Sequence, residues 1–219
     1  MKNYTHLLFD LDGTLTDPAL GITNSIMYAL KKFNIEVKDR KELYCCIGPP
    51  LIPAFENMWG LSHSDAVLAL EYYREYFSVK GLFENLLYDG IDELLSSLVK
   101  SGKKLYLATS KPEEYARKIL EHFKIDKYFA FIAGNTLTES RPTKLAVLEY
   151  LMKSVPEISS DNAVMIGDTK YDAIGATDAG LDIIAVLYGY GKREDFEGFS
   201  VKEFAATVKE LKEILIRKN

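Results

Sequence analysis

Short unbroken apolar runs stand apart, along this chain, from stretches in which apolar residues recur every three or four positions. Runs at 7–9, 105–108, 129–132, 164–166 and 183–186 predict strands, because a parallel strand covered on both faces reads as continuous apolar sequence. Helical periodicity fills the gaps at 92–100, 112–123, 143–155 and 171–179, with a last amphipathic helix at 208–216. Gly102 and Gly180 stand where two of these helices should stop, and Ser110-Lys111-Pro112-Glu113 opens another. Strand and helix alternating after about residue 85 predict an α/β fold, a Rossmann-like parallel sheet flanked by helices.

Residues 17–86 break this rhythm. Consecutive helices at 20–33, 50–59 and 64–77 predict an all-helical cap domain inserted into an α/β core domain formed by 1–16 and 87–219. Its two connections, just after Asp17 and near Tyr88-Asp89-Gly90, flank an acidic turn, which is the arrangement of a lid. A helical subdomain packed on the edge of the sheet has the same pattern.

Composition narrows the function classes. The chain has 219 residues, 47% hydrophobic and 27% charged, with a formal charge of −5, as in a globular protein with one good core. Lysine and arginine are scattered, so a nucleic acid polymer is not an expected partner, although a local basic pocket is compatible with the sequence. No apolar run is long enough to span a bilayer, and Met1-Lys2-Asn3-Tyr4 leads into a strand without a signal-peptide core, so a cytoplasmic protein with no membrane partner is expected. The two cysteines, Cys45 and Cys46, are adjacent, which argues against a disulfide scaffold and against zinc. No coiled-coil heptad is visible, and a monomer or weak dimer is expected.

The chemistry concentrates at strand ends. Leu7-Leu8-Phe9 delivers Asp10 and Asp12 to the crevice beyond the carboxyl ends of the sheet, where ligands bind in open α/β folds. Gly13 permits a sharp turn, and two like charges so close call for a cation or a proton, with magnesium the expected hard metal. An acidic turn capping a helix would use the same residue types. Lys104 to Pro112 is a second strand ending at a helix start, where free N–H groups and the Thr109 hydroxyl suit a phosphate; Ser110 fits either a ligand contact or a capping box with Glu113. Lys144, at the start of the 143–155 helix, opposes the helix dipole and needs an acidic partner, unless it is simply solvated. Ala163 to Ile166 ends in Gly167 and Asp168, with Asp172 four residues on: Asp168 is a third candidate metal ligand or a helix cap, and Asp172 can orient a water or hold the lysine.

Together these segments resemble the haloacid dehalogenase superfamily, in its phosphatase branch with a helical cap after the first strand. Asp10-Leu11-Asp12-Gly13-Thr14 is similar to the first motif, Thr109 to the second, Lys144 to the third, and Gly167-Asp168 with Asp172 to the fourth. Thr109 lies 97 positions beyond Asp12, leaving room for the cap, and Lys144 lies 35 beyond Thr109. The resemblance implies a magnesium-dependent hydrolase of a small-molecule phosphomonoester. Asp10 would be the nucleophile that becomes an aspartyl-phosphate, and Asp12 the general acid and base. Asp10, Asp12 and Asp168 would hold the metal, Asp172 would support them, and Thr109, Ser110 and Lys144 would hold phosphate. Many relatives carry a Lys-Pro pair at the third motif, where this chain has Ser140-Arg141-Pro142-Thr143-Lys144, so Arg141 is a substitute for Lys144 or a specificity residue. Gly48 and Pro49 in the cap, and Leu187-Tyr188-Gly189-Tyr190-Gly191, look like phosphoglycolate phosphatases, which makes phosphoglycolate the leading substrate, although a Gly-Pro-Pro run is equally an ordinary interhelix turn. A 5'-nucleotidase and a β-phosphoglucomutase-like phosphomutase share these motifs. A signalling receiver also gathers acids, a hydroxyl and a lysine around magnesium, but it is small and has no such insertion.

Overall fold

Leu7, Leu8 and Phe9 have no exposed surface, so the first strand, β1 (His6–Phe9), is covered on both faces. A computed structural model describes residues 2–217. The chain divides into two compact units, one formed by residues up to Thr16 together with those from Leu87 onward, the other by Asp17–Leu86.

In the first unit, six parallel strands form one sheet in the order β5-β4-β1-β6-β7-β8. They are β4 (Lys104–Pro112), β5 (Phe129–Asn135), β6 (Ala163–Gly167), β7 (Asp182–Val186) and β8 (Val201–Ala205) around β1. From β1 the chain builds outward through β4 and β5, then returns to β1's other side with β6, so the order reverses at the β1/β6 pair. Ligands bind in such sheets at the carboxyl ends of the strands beside the reversal. The helices are α4 (Ile91–Lys100), α5 (Glu113–His122), α6 (Lys144–Ser154), α7 (Lys170–Asp178) and α8 (Val208–Ile216). On one face Leu8, Tyr106 and Met165 pack with Val147, Leu148 and Leu151 of α6 and Ala173 and Ala176 of α7. Each large side chain so buried contributes roughly 1.5–3 kcal/mol.

The fold class expected from the sequence is observed, with differences that have local causes. β8 is not legible in the sequence because Val201-Lys202-Glu203-Phe204-Ala205 sets two adjacent charged residues inside it and so shows neither an unbroken apolar run nor a period of two; it is an edge strand, partly exposed, and a lysine there discourages further pairing. α5 begins at Glu113 and its N-cap, Pro112, makes no side-chain cap. The Ser110–Glu113 capping box is not formed because β4 is still pairing as far as Pro112, opposite Asn135. α7 begins at Lys170, one residue before the expected start, and its N-cap is Thr169 rather than Asp168, closing a capping box with Asp172.

The second unit contains α1 (Ala19–Lys31), α2 (Leu51–Trp59) and α3 (His63–Tyr76). Ser62 caps α3 by accepting from the Asp65 N–H, and Gly60, at φ 66°, ends α2 in the left-handed conformation. A 3-10 turn at Arg40–Cys46 and a π turn at Phe77–Gly81 were not legible in the helical periodicity. Two two-residue strands, β2 (Thr16–Asp17) and β3 (Leu86–Leu87), pair as a separate ladder. No helix among the described residues is long and apolar enough to cross a membrane.

Candidate active site

Asp10 leaves the end of β1 with its N–H donating to the Ile166 carbonyl of β6, which fixes where its carboxylate starts. Gly13, at φ 78°, then turns the chain, and its N–H donates to the Thr16 carbonyl at 2.8 Å. A Cβ on Gly13 would stand 2.0 Å from Asp168 Oδ2, so only glycine permits this approach of the turn to the β6 tip.

Lys144 is the first residue of α6 and only 5% exposed. Its Nζ lies 2.9 Å from Asp10 Oδ1 and 2.9 Å from Asp172 Oδ1, and donates a hydrogen bond to the Ala108 carbonyl at 2.9 Å. The carboxylate contacts are ion pairs without hydrogen-bond geometry, since Asp10 Oδ1 and Asp172 Oδ1 have no hydrogen-bond partner. They supply the acidic partner that a cation at a helix start requires. Burial pulls the Lys144 ammonium toward neutrality, but the charges of Asp10 and Asp172 outweigh it and hold its pKa above the ordinary lysine value.

Asp168, at the tip of β6, has no exposed surface. Its Oδ2 accepts the Tyr190 N–H at 2.8 Å and its Oδ1 accepts the Thr14 hydroxyl at 3.4 Å. Asp172, also fully buried, uses Oδ2 to accept the Thr169 N–H and hydroxyl, each at 3.1 Å, so it is at once a helix cap and a partner of Lys144. One carboxylate oxygen from each of Asp10, Asp168 and Asp172 falls within 4.8 Å of the others. Burial raises the Asp10 pKa from 3.8 to about 6, against the pull of Lys144 and with added repulsion from Asp172 and Asp12. Burial, followed by the charges of Asp172 and Asp10, raises Asp168 well above the ordinary value.

Asp12 is paired through Oδ2 with Lys111 Nζ at 2.7 Å, while its Oδ1 is buried without a hydrogen-bond partner. Thr109 is 1% exposed, and its hydroxyl accepts the Lys111 N–H at 3.3 Å. Ser110 lies half-buried within β4 beside it.

Arg141 has other commitments. Its Nε donates to the Gly134 carbonyl at 2.7 Å, its Nη2 lies 3.4 Å from Glu113 Oε2, and its guanidinium stacks 3.9 Å from the centre of the Tyr150 ring. These contacts tie it to β5, α5 and α6, so it does not substitute for Lys144 in holding Asp10. Gly48, at φ 100°, and Pro49 belong to the helical unit, between Arg40–Cys46 and α2.

Two features escaped residue-by-residue reading. Lys111 sits in a helix-opening run in the sequence; a lysine two residues past a strand-tip hydroxyl is the available signal. The loop at 187–191 cradles Asp168: a Cβ on Gly189 would stand 2.4 Å from Asp168 Oδ2, and one on Gly191 2.0 Å from the Asp168 carbonyl. The Tyr188 hydroxyl donates to the Thr14 carbonyl at 2.9 Å, and burial, then Asp168, raises its pKa.

The donor set suits a divalent hard cation. Four carboxyl groups, those of Asp10, Asp12, Asp168 and Asp172, face two ammonium groups, Lys111 and Lys144, so the ionised cluster has two surplus negative charges. All its side-chain ligands are oxygens, as magnesium prefers. Asp172 is committed to its cap and to Lys144, Asp10 meets the same ammonium, and Asp168 accepts from Tyr190 and Thr14.

A Pseudomonas aeruginosa protein named 5'-nucleotidase is 40% identical over 212 residues, covering 97% of this chain and 96% of that one. A Mycobacterium tuberculosis protein named tyrosine-protein kinase PtkA is 38% identical, covering 95% of this chain and 72% of its own length. A Colwellia psychrerythraea protein named phosphoglycolate phosphatase is 32% identical, covering 94% of each. The crystal structure of a protein described as a predicted phosphatase from Clostridium acetobutylicum superposes with a TM-score of 0.92 at 46% identity, covering 97% of this chain and 98% of that one. The family model for haloacid dehalogenase-like hydrolases matches residues 7–186, and the chain belongs to that family.

Proposed function

We propose that the protein is a magnesium-dependent phosphomonoester hydrolase that works through an aspartyl-phosphate on Asp10. The observation that carries this reading is the junction at Lys144, whose ammonium joins the strand-tip carboxylate Asp10 to Asp172 within reach of Asp168. Phosphoryl transfer depends mainly on positioning and on neutralising charge, and this cluster is equipped for both.

In the proposed reaction an Asp10 carboxylate oxygen forms a bond to phosphorus as the ester P–O bond breaks, and Asp12 gives its proton to the departing alcohol. Asp12 then takes a proton from the water that attacks phosphorus, and inorganic phosphate leaves with the Asp10 carboxylate restored. Lys144 holds Asp10 in line and contributes positive charge toward phosphate oxygens. The Thr109 hydroxyl, with Ser110 beside it at the end of β4, supplies hydrogen bonds to the same group. Lys111 fixes the orientation of Asp12 through its ion pair. Asp10, the main-chain carbonyl of Asp12 and Asp168 are the groups that would hold magnesium. The ion would supply charge neutralisation between carboxylate and phosphate.

For the substrate, phosphoglycolate follows from the likeness of the 187–191 segment and of Gly48-Pro49 to phosphoglycolate phosphatases. A second reading, 5'-mononucleotides, is favoured by the relative named 5'-nucleotidase, which is 40% identical against 32% for the one named phosphoglycolate phosphatase. Release of inorganic phosphate from phosphoglycolate, from a series of 5'-mononucleotides and from p-nitrophenyl phosphate, with and without magnesium, tests the proposal. Phosphate should accumulate with at least one of these monoesters. An isomerised sugar phosphate without free phosphate would identify a phosphomutase instead. Transfer from ATP to protein tyrosine, with no monoester hydrolysed, would favour the activity named for the kinase relative.

A further inference from the structure

Three sulfur atoms converge in the helical unit, and none of them belongs to the acidic cluster. Cys45 and Cys46 end the 3-10 turn Arg40–Cys46, and Met58 is the penultimate residue of α2. Their sulfurs are separated by 4.0 Å between the cysteines, 3.8 Å from Cys45 to Met58 and 3.5 Å from Cys46 to Met58. The centre of that triangle is about 2.2 Å from each sulfur, close to the metal–sulfur bond length of ~2.3 Å seen for zinc thiolates.

The site is also open in the right way. Both cysteines are free thiols; Cys46 is buried and forms the floor, while Cys45 and Met58 are exposed at the mouth, Met58 by 43%. Two thiols and a thioether form a soft donor set. Magnesium takes oxygen, and among the ions that soft thiolate and thioether donors select, zinc in structural sites takes four ligands, so a set of three sulfurs suits Cu(I).

We propose that Cys45, Cys46 and Met58 form a three-coordinate site for a soft monovalent cation, Cu(I). Binding exchanges the two thiol protons for the ion, so the site changes from neutral to a net charge of −1, and no electron is transferred. Burial pushes the Cys46 thiol up to about 12, so its proton is still in place at neutral pH and must leave as the metal enters. Affinity therefore rises with pH. The inference does not rest on the hydrolase reading, because none of the three sulfur residues belongs to the acidic cluster.

The test is an anaerobic titration of the reduced, metal-free full-length protein with Cu(I) in competition with bicinchoninate, together with X-ray absorption at the copper edge. One equivalent should be withdrawn from the chelator, with three sulfur neighbours around copper. Met58→Leu should keep its fold by circular dichroism and weaken binding by at least the ~10–100-fold that loss of an outer-shell partner costs a metal site. Cys45→Ser with Cys46→Ser should abolish it. Copper left wholly with the chelator, Met58→Leu binding as tightly as the parent, or only two sulfur neighbours would each overturn the proposal.

Discussion

Lys144 Nζ stands 2.9 Å from Asp10 Oδ1, although 133 residues separate the two in the chain and both are buried. The pair joins the start of α6 to the end of β1, and a second contact of equal length carries the same ammonium to Asp172. One cation therefore compensates two buried carboxylates, and the cluster depends on it more than on any single acid.

Replacing Lys144 with methionine should accordingly destabilise the metal-free protein. Removing one partner of a buried pair leaves uncompensated charge and costs about 3–5 kcal/mol. Thermal unfolding in EDTA should show a fall of roughly 2–4 °C for each kcal/mol in a domain of this size. Addition of magnesium should restore part of the loss in Lys144→Met, because a cation then takes over some of the neutralisation. Catalysis should not be restored, since Lys144 also meets phosphate in the proposed reaction. An unchanged midpoint in EDTA would show that the ion pairs contribute nothing.

Gly13 tests the geometry from the opposite side. Alanine at φ 78° costs about 1–2 kcal/mol in backbone strain, and its methyl group would overlap the Asp168 carboxylate, 2.0 Å away. Gly13→Ala should lower both stability and magnesium affinity, whereas Gly102→Ala, also at positive φ but with open space around it, should lower stability alone. Isothermal titration of the two variants separates the cases. Equal magnesium binding in both would detach Gly13 from the acidic cluster.

The fold class was legible because parallel strands buried on both faces leave unbroken apolar runs, as at Leu7-Leu8-Phe9 and Ala163 to Ile166. Asp10, Thr109 and Asp168 stood out because each ends such a run. Their partners were less legible. Asp12 meets Lys111, and Arg141 meets Glu113 and Tyr150, through contacts between distant segments that local pattern does not encode. Nothing local in the sequence marks Lys111 as the partner of Asp12, and only the sheet order shows that the ends of β1 and β4 are neighbours. β8 is hidden by the adjacent charges Lys202-Glu203 inside it, and the choice of Thr169 over Asp168 as the α7 cap turns on a difference of one residue.

Stability should depend on pH and magnesium together. A carboxyl group whose pKa is higher in the folded state, as for Asp10 at about 6 and for Asp168, keeps a proton that the unfolded chain surrenders near pH 4. The folded protein then binds more protons than the unfolded one in that window, so stability falls as pH rises from about 4 through about 6. Magnesium binds the ionised carboxylates, so its stabilising effect should be near zero at about pH 4 and grow through about pH 6. Melting curves in EDTA and in saturating magnesium across this range would show two lines that diverge with rising pH. Parallel lines would mean that the ion binds elsewhere.

The central claim is that phosphorus passes through the carboxylate of Asp10. Borohydride reduction of the enzyme quenched during turnover of a monoester substrate converts an aspartyl-phosphate to homoserine, which peptide mass spectrometry locates. Homoserine at position 10, dependent on substrate and absent from Asp10→Asn, is the predicted result. Phosphate released at an undiminished rate by Asp10→Asn, or the reduced residue found at another aspartate, would contradict it.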